Sequence, residues 1–158
     1  MSPKKTDSVI FNTATAAETG RIAAKLARCL AGGEIICLYG PIGSGKTVFT
    51  QALAAGLGVK KLPASASFAL MRGYKGRLRL FHFDLFRVCE NELFNLGIEE
   101  CIGRDDAVTV IEWADPAKRL LPPERIEMRF ALAGGDKRRI KVKASKKTAS
   151  AVRRALSL

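Results

Sequence analysis

One segment restricts the fold of this chain more than any other, because an apolar run, a glycine-rich loop and a helix-like segment follow one another within residues 35–58. The loop at residues 40–47 reads GPIGSGKT and matches the pattern G-x-x-x-x-G-K-[ST] at every required position. Glycines in such a loop let backbone N–H groups turn towards a phosphate, and the helix that follows directs its positive dipole end at the same place. The segment therefore predicts a phosphate-binding loop, or P-loop, between a buried strand and a helix.

The residue types of the P-loop predict how it holds a nucleotide. We expect Lys46 to contact the β- and γ-phosphates and the Thr47 hydroxyl to bind Mg²⁺. The chain contains neither NKxD, which reads guanine, nor the DxxG of GTPase switches, so ATP is the predicted nucleotide. The loop residues that we predict to bind it are Pro41, Ile42, Gly43, Ser44, Gly45, Lys46 and Thr47.

Two acidic residues follow predicted strands and are candidates for the acid that a P-loop site needs to hold Mg²⁺ or its water. Asp84 comes after RLRLFHF, and Glu112 comes after AVTVI. A carboxylate at the end of a strand can simply face water, but two of them in a small P-loop domain favour a functional role for both. We therefore predict Lys46, Asp84 and Glu112 as the catalytic residues.

Three residues close to these acids in the sequence have two interpretations each. His82 is either a core histidine beneath the site or part of the site itself. Arg87 either stabilises phosphate charge or pairs with a nearby acid, and Trp113 is either a core aromatic or a wall of the nucleotide site. Residue type and spacing leave these alternatives open, and we include Trp113 among the candidate nucleotide-binding residues.

The other patterns in the chain predict an α/β fold. SVIFNT indicates a strand, and Thr15 and Glu18 have the capping-box spacing of a helix start, so the chain begins β-α-β-α. Alternating segments around residues 75–76 indicate an antiparallel hairpin, CENELFNLGIEECI one or two short helices, DAVTVIEW a buried strand, and RIEMRFAL with RRIKVKA a final hairpin. We predict a single P-loop NTPase domain at residues 1–144, with a mixed parallel and antiparallel sheet flanked by helices, and a basic C-terminal tail at residues 145–158.

Charge and composition narrow the partners and the compartment. The formal net charge of +12 favours a polyanionic partner such as RNA, or an abundant phosphate ligand. Nine Lys and Arg residues lie within residues 137–154, which fits a solvated basic tail and contact with nucleic acid equally well. No apolar run approaches the roughly 20 residues of a membrane span, and the first residues lack the apolar core of a signal peptide. We therefore expect a cytoplasmic protein without membrane contact.

The cysteines carry no recognisable site in the sequence. Cys29, Cys37, Cys89 and Cys101 are widely separated, without a CxxC pair or a histidine cluster that would indicate zinc or redox chemistry. We expect all four to be small buried hydrophobic side chains.

The motifs GPIGSGKT, SASFALMRGY, HFDLFR, LFNLGIEE and VIEW, in this order, resemble those of the TsaE (YjeE) family of small bacterial P-loop ATPases. The resemblance extends from about residue 10 to residue 142. It implies a Mg²⁺-dependent ATPase that is slow alone and acts with the TsaB–TsaD transferase. The family functions in forming threonylcarbamoyladenosine at position 37 of tRNAs that read codons beginning with A, so tRNA is expected to be reached through the complex.

The resemblance also implies roles for single residues. Lys46 and Thr47 match the P-loop pair of the family, Asp84 matches the aspartate of its H-x-D-L-Y-R motif, and Glu112 matches the glutamate of its E-W motif. It follows from the resemblance that Thr47 and Glu112 ligate Mg²⁺. Asp84 is expected to act through water on the γ-phosphate.

Two positions depart from the family pattern. Family members usually read S-P-T where this chain has residues 65–67, so Ala66 replaces a stiffening proline, while Ser67 keeps a hydroxyl that can sense the γ-phosphate. Phe86 replaces a tyrosine, and with it the hydrogen bond of that hydroxyl. These departures bear on the rate and regulation of the ATPase.

Two other functions are compatible with the same residues. A small-molecule kinase would share the P-loop and the acids, but it should also have an arginine-bearing lid, for which the sequence shows no obvious insertion. A nucleotide-gated RNA-binding module would use the basic C-terminal hairpin and tail. Free phosphate, a phosphorylated metabolite or no released product would distinguish the three.

Overall fold

The computed structural model describes residues 5–61 and 70–156. Within them, seven strands form one sheet in the order β1-β7-β6-β2-β5-β4-β3. None of the described helices has the length and hydropathy that a membrane crossing requires. The strands are β1 (Thr6–Thr13), β2 (Ile35–Tyr39), β3 (Met71–Tyr74), β4 (Arg79–Asp84), β5 (Ala107–Glu112), β6 (Ile126–Leu132) and β7 (Arg138–Ser145). The helices are α1 (Ala16–Cys29), α2 (Lys46–Gly56), α3 (Ile98–Cys101) and α4 (Lys146–Leu156), with 3-10 segments at Glu90–Leu96 and Asp115–Ala117.

The sheet mixes parallel and antiparallel pairs, as predicted. β2 is parallel to both of its neighbours, β5 and β6, and β5 is parallel to β4. β7 is antiparallel to β1 and β6, while β3 closes the other edge antiparallel to β4. We call β2, β4 and β5 the parallel half of the sheet, and β1, β6 and β7 the antiparallel half.

The central strand β2 explains how the core is divided. All five of its residues are buried, and because successive side chains point to opposite faces they serve two separate clusters. Ile36 and Leu38 pack in the first cluster with α1, α2 and α4. Ile35, Cys37 and Tyr39 pack in the second cluster with α3 and the 3-10 segments. A continuous apolar run is therefore what this strand needs.

The helix start predicted from Thr15 and Glu18 is confirmed. The Thr15 hydroxyl accepts the Glu18 N–H at 3.2 Å, and the Glu18 carboxylate accepts the Ala14 N–H at 2.6 Å. Gly58, with a φ of +80°, follows the end of α2. These contacts satisfy backbone groups that a helix end leaves without a partner.

The prediction for the cysteines is wrong for two of the four. Cys37 and Cys101 are buried, and burial raises the pKa of the Cys37 thiol to about 12. Cys29 and Cys89 are exposed. Each lies at the boundary of a helical segment, where the chain leaves the core, and position along an apolar pattern does not reveal such a boundary.

Within the predicted basic tail at residues 145–158, Lys146–Leu156 form helix α4. Its Ala149 and Val152 are buried in the first core cluster beside α1 and β1 residues. They stand three residues apart and so share one face of the helix, while the exposed residues of α4 are Lys146, Lys147, Arg153 and Arg154. The high charge of this segment conceals a narrow apolar face that is sufficient for docking.

Candidate nucleotide-binding site

The carboxyl ends of β2, β4 and β5 meet at one edge of the sheet because these strands are parallel. The P-loop follows β2 at this edge, and Asp84 and Glu112 are the last residues of β4 and β5. A pocket of about 560 Å³ opens here, between the P-loop, the two strand ends, the first turn of α1 and the β6–β7 hairpin. Ligands of open α/β sheets bind outside the carboxyl ends of the strands, so this pocket is the candidate site.

Glycines give the P-loop a backbone that other residues rarely adopt. The φ angles of Gly40, Gly43 and Gly45 are +142°, +76° and +100°. A Cβ atom added to Gly40 would also lie 2.5 Å from the carbonyl oxygen of Phe130 on β6. Backbone conformation and close packing both exclude a side chain at Gly40, which explains the glycine that the pattern requires there.

The Lys46 ammonium is held by the P-loop itself. Its Nζ donates hydrogen bonds to the carbonyl oxygens of Gly40 at 2.6 Å and Pro41 at 2.9 Å. It also lies 3.4 Å from the Ser44 hydroxyl oxygen. The side chain is buried, so these oxygens replace the water that the charge would otherwise bind.

Glu112 is fixed by contacts on both of its carboxylate oxygens. Its Oε1 lies 3.0 Å from the Thr50 hydroxyl and 3.0 Å from His82 Nε2, and all three side chains are buried. Thr50 shares its hydrogen between this oxygen and the Lys46 carbonyl, also at 3.0 Å. The Oε2 atom faces the Thr47 hydroxyl at 3.4 Å. One oxygen is therefore anchored inside the protein and the other is directed at the P-loop.

Asp84 stands beside Glu112 because the two residues are register partners on neighbouring parallel strands. Its carboxylate is half-buried, lines the pocket and accepts the Phe86 N–H at 3.1 Å. Burial raises the pKa of Asp84, and the nearby charge of Glu112 acts in the same direction. Burial also lowers the pKa of Lys46, while Glu112 and Asp84 oppose that change. The Asp84 carboxylate and the Lys46 ammonium are therefore both partly shielded from water.

Trp113 has its ring in the pocket wall. The residue has a φ of +54°, and its ring centroid is 4.0 Å from Lys46 Nζ and 4.8 Å from the Phe86 ring centroid. The backbone N–H of Trp113 donates to the Leu38 carbonyl at 3.0 Å, which connects the residue to the end of β2. Of its two interpretations, the structure favours the wall of the site.

The structure resolves the role of His82 more clearly than that of Arg87. His82 is buried beneath the site and contacts the Glu112 carboxylate, so it belongs to the core and to the site at once. Arg87 is exposed, lines the pocket and has its guanidinium 5.8 Å from the Phe86 ring centroid. Both interpretations of Arg87 remain compatible with this position.

Most of the predicted loop residues lie together in the pocket wall. Pro41 is outside the wall, and its carbonyl accepts hydrogen bonds from Lys46 Nζ and from the Ser44 backbone N–H. Ser67 and Ala66 lie outside the described residues, so the predicted γ-phosphate contact stays a prediction. The predicted residues that line the pocket are Ile42, Gly43, Ser44, Gly45, Lys46, Thr47, Asp84, Glu112 and Trp113.

Sequence reasoning missed Thr50 and Arg138. Thr50 had a readable signal, because it follows Lys46 by four residues and so lies on the same face of α2. Arg138 had none, because its position depends on the hairpin between β6 and β7. Its Nη2 donates to the Gly43 carbonyl at 3.0 Å, and its Nη1 donates to the Gly135 and Lys137 carbonyls at 2.7 and 2.9 Å.

A comparison with protein families identifies the chain. The family model described as "Threonylcarbamoyl adenosine biosynthesis protein TsaE" matches residues 13–140. The chain belongs to the TsaE family. The resemblance that the motifs predicted is therefore confirmed, and the match includes the P-loop and both acids but not α4.

Curated relatives agree with this assignment to the TsaE family. The chain is 35% identical over 131 residues to "tRNA threonylcarbamoyladenosine biosynthesis protein TsaE" of Bacillus subtilis, covering 82% of each protein. It is 33% identical over 129 residues to the protein of the same name from Treponema pallidum, covering 81% of this chain and 95% of the relative. Among solved structures, YdiB of Bacillus subtilis has a TM-score of 0.74 and 28% identity, over 97% of this chain and 96% of the other.

Proposed function

We propose that this protein is the ATP-binding and ATP-hydrolysing subunit that acts with TsaB and TsaD in forming threonylcarbamoyladenosine in tRNA. The observation that carries the proposal is the orientation of Glu112, which is anchored by Thr50 and His82 and faces Thr47 of the P-loop. The names of the relatives support the pathway, because they describe tRNA threonylcarbamoyladenosine biosynthesis proteins.

ATP would bind with its phosphates on the P-loop. Lys46 would exchange the carbonyls of Gly40 and Pro41 for phosphate oxygens, which bear a full negative charge and so form stronger hydrogen bonds. The start of α2 adds favourable potential, since its first turn contains no acidic residue that would repel an anion.

Thr47 and Glu112 fit the requirements of Mg²⁺. Both offer oxygen ligands, and Mg²⁺ is usually held by one or two carboxylates together with substrate phosphates. The Glu112 Oε2 atom and the Thr47 hydroxyl lie 3.4 Å apart, so the two oxygens stand side by side. Mg²⁺ bound there would neutralise charge that develops on the phosphates.

Asp84 is the candidate for positioning the attacking water. Its raised pKa brings it closer to the pH at which it must accept a proton, and it lines the pocket beside Glu112. Glu112 is less suited to this role, because its Oε1 is already engaged by buried partners.

Two arginines line the pocket within the described residues, and their surroundings support slow hydrolysis by the protein alone. Arg138 is engaged by three backbone carbonyls, while Arg87 is exposed and has no buried partner among the described residues that would fix it on a phosphate. We propose that contact with TsaB–TsaD raises the turnover rate.

The test is release of inorganic phosphate from Mg²⁺-ATP by the protein alone, with TsaB–TsaD, and with TsaB–TsaD and tRNA, with Lys46→Ala as the inactive control. We expect slow release alone and faster release with the partners. Equal rates under all conditions, together with equal partner affinity in ATP and ADP, would refute the partner-dependent ATPase. ADP formed together with a phosphorylated metabolite would identify the kinase instead.

A further inference from the structure

Within residues 5–61 and 70–156, helices cover only one face of the antiparallel half of the sheet. On β7, Ile140 and Val142 are buried in the first core cluster with α1 and α4. Arg139, Lys141 and Lys143 alternate with them and are exposed on the opposite face. Arg129, the register partner of Lys141 on β6, is exposed on that face too. We call the surface formed by Arg129, Arg139, Lys141 and Lys143 the open sheet face.

The positive charge of the open sheet face is not neutralised by the residues that the structure describes. Its four cations form no ion pair with any of them, and the Arg129 guanidinium stacks 4.5 Å from the centroid of the Tyr39 ring. Glu127 is the register partner of Lys143, but Arg125 already pairs with it at 2.8 Å. The surface is therefore left with a net positive charge.

The cations of β7 form a straight row. Residues two apart on a strand lie about 6.8 Å from each other on the same face, so Arg139, Lys141 and Lys143 extend over roughly 14 Å. Arg129 widens the row at its middle, since neighbouring strands lie about 4.8 Å apart. A single phosphate would contact only part of such a row, whereas a chain of phosphates can follow it.

The other residues of this face favour a nucleic acid backbone over a protein or a membrane. On β1, Ser8 and Asn12 are exposed register partners of Lys143 and Arg139, and small polar side chains beside Lys and Arg are typical phosphate contacts. Ile10, 45% exposed, is the large apolar side chain that β1 offers here. Protein hot spots and membrane-bound surfaces need more aromatic and apolar anchors than this.

We propose that the open sheet face binds the phosphate backbone of an RNA. This inference deepens the proposed function and rests on it for the choice of tRNA as the RNA to test. The sign, the spacing and the exposure of its cations carry it.

The same strand separates the open sheet face from the nucleotide site. Arg138, at the start of β7, contacts Gly43 of the P-loop, whereas Arg139 points to the opposite side of the sheet. None of the four cations of the open sheet face lines the nucleotide pocket. Bound RNA would therefore leave the pocket accessible, and removing these cations should leave ATP binding unchanged.

The test compares two variants that each lose three positive charges. The face variant carries Arg139→Ala, Lys141→Ala and Lys143→Ala, all at exposed positions. The helix variant carries Lys146→Ala, Lys147→Ala and Arg154→Ala on α4, which covers the other face of the sheet. The affinity of each for unmodified tRNA is measured by fluorescence anisotropy between about 50 and 200 mM salt, the range over which phosphate contacts lose most of their strength.

We expect the face variant to bind tRNA roughly tenfold more weakly or worse at the low-salt end, and to reduce the slope of log affinity against log salt by about 2 to 3. The helix variant should keep an affinity close to that of the wild type. An equal loss in both variants would overturn the proposal, because total charge would then explain the binding. An unchanged affinity in the face variant would overturn it as well.

Two further measurements separate this inference from its alternatives. Vesicles of phosphatidylserine test a membrane: loss of vesicle binding in the face variant with tRNA binding intact would assign the surface to lipid and refute the RNA proposal. Mg²⁺-ATP binding, expected to be equal in both variants and the wild type, confirms that they are folded. Wild-type protein that binds tRNA through this face but hydrolyses no ATP with TsaB–TsaD would refute the proposed function and leave the face supported.

Discussion

The two halves of the sheet place their polar residues differently. In the parallel half, β2 and β5 are buried throughout, and the polar side chains that matter stand at the carboxyl ends, where Asp84 and Glu112 meet the P-loop. In the antiparallel half, buried and exposed residues alternate along β7, so charge is spread over a whole face. A strand covered on both sides concentrates function at its end, and a strand covered on one side can present function along its length.

The largest effect is expected for Asp84→Asn at the end of the parallel half. If Asp84 positions the attacking water, the turnover number should fall by roughly 10²–10⁴-fold, while Mg²⁺-ATP affinity stays near that of the wild type. Steady-state phosphate release and equilibrium ATP binding measure the two. Asp106→Asn, at an exposed acid just before β5, is the matched control. A loss of ATP affinity with normal turnover would transfer the metal role to Asp84.

The pKa of Asp84 adds a pH dependence to this prediction. The folded-state pKa of Asp84 is raised, so Asp84 becomes protonated at a higher pH than an ordinary aspartate. As the solution is acidified, activity should therefore begin to fall at that higher pH. The contribution of Asp84 to the free energy of unfolding has the opposite pH dependence to the activity. It is present at low pH and is lost as the pH rises through the folded-state pKa. Asp84→Asn should therefore melt at a higher temperature than the wild type at neutral pH. A lower melting temperature would contradict the direction of the shift.

Truncating an isoleucine should lower the free energy of unfolding much more on the buried strand β2 of the parallel half than on the exposed face of β1 in the antiparallel half. Ile36→Ala removes a fully buried side chain of β2 and should cost about 2–5 kcal/mol. Ile10→Ala, on the open face of β1, should change the value by less than about 0.5 kcal/mol. Urea denaturation measures both, and Ile36→Val, with an expected cost of about 0.5–1.5 kcal/mol, serves if the alanine variant does not fold. Equal costs at Ile36 and Ile10 would end the comparison.

Lys46→Ala tests whether the two functions occupy separate halves. It should weaken ATP binding by about 1.5–3 kcal/mol, or roughly 10- to 150-fold, because a charge-assisted contact to phosphate is lost. The tRNA affinity of Lys46→Ala should equal that of the wild type. The face variant should instead bind tRNA more weakly and bind ATP as the wild type does. Isothermal titration with ATP and anisotropy with tRNA give the two values. Unchanged ATP affinity in folded Lys46→Ala would end the P-loop assignment.

The smallest effect is expected for Thr50→Val, which keeps the shape of the side chain and removes one hydrogen bond to Glu112. The half-saturating Mg²⁺ concentration should rise about 2- to 10-fold, because the Oε1 atom of Glu112 then keeps only its contact with His82. Thr109→Val, on the same strand as Glu112 but bonded to the Cys101 carbonyl, is the control. A Thr50→Val change in turnover without a change in Mg²⁺ requirement would contradict a positioning role.

Local pattern determined the parts of this protein that depend on neighbours along the chain. The P-loop could be read from its glycines, because a tight turn around phosphate needs left-handed conformations at fixed intervals. β2 could be read from its uninterrupted apolar run and α1 from its capping pair, since burial and capping act within a few residues. Asp84 and Glu112 could be named as candidates because each follows such a run.

Only the tertiary structure decided which distant residues meet. The anchors of Glu112 come from 30 and 62 positions away, and Arg138 contacts Gly43 from 95 positions away. Such contacts depend on the order of strands in the sheet, and that order is set by non-local pairing that no sequence window contains. The same applies to the basic C-terminal residues. Their number is a property of the sequence, but the division between a docked helix and an open row on β7 follows from which face the core covers.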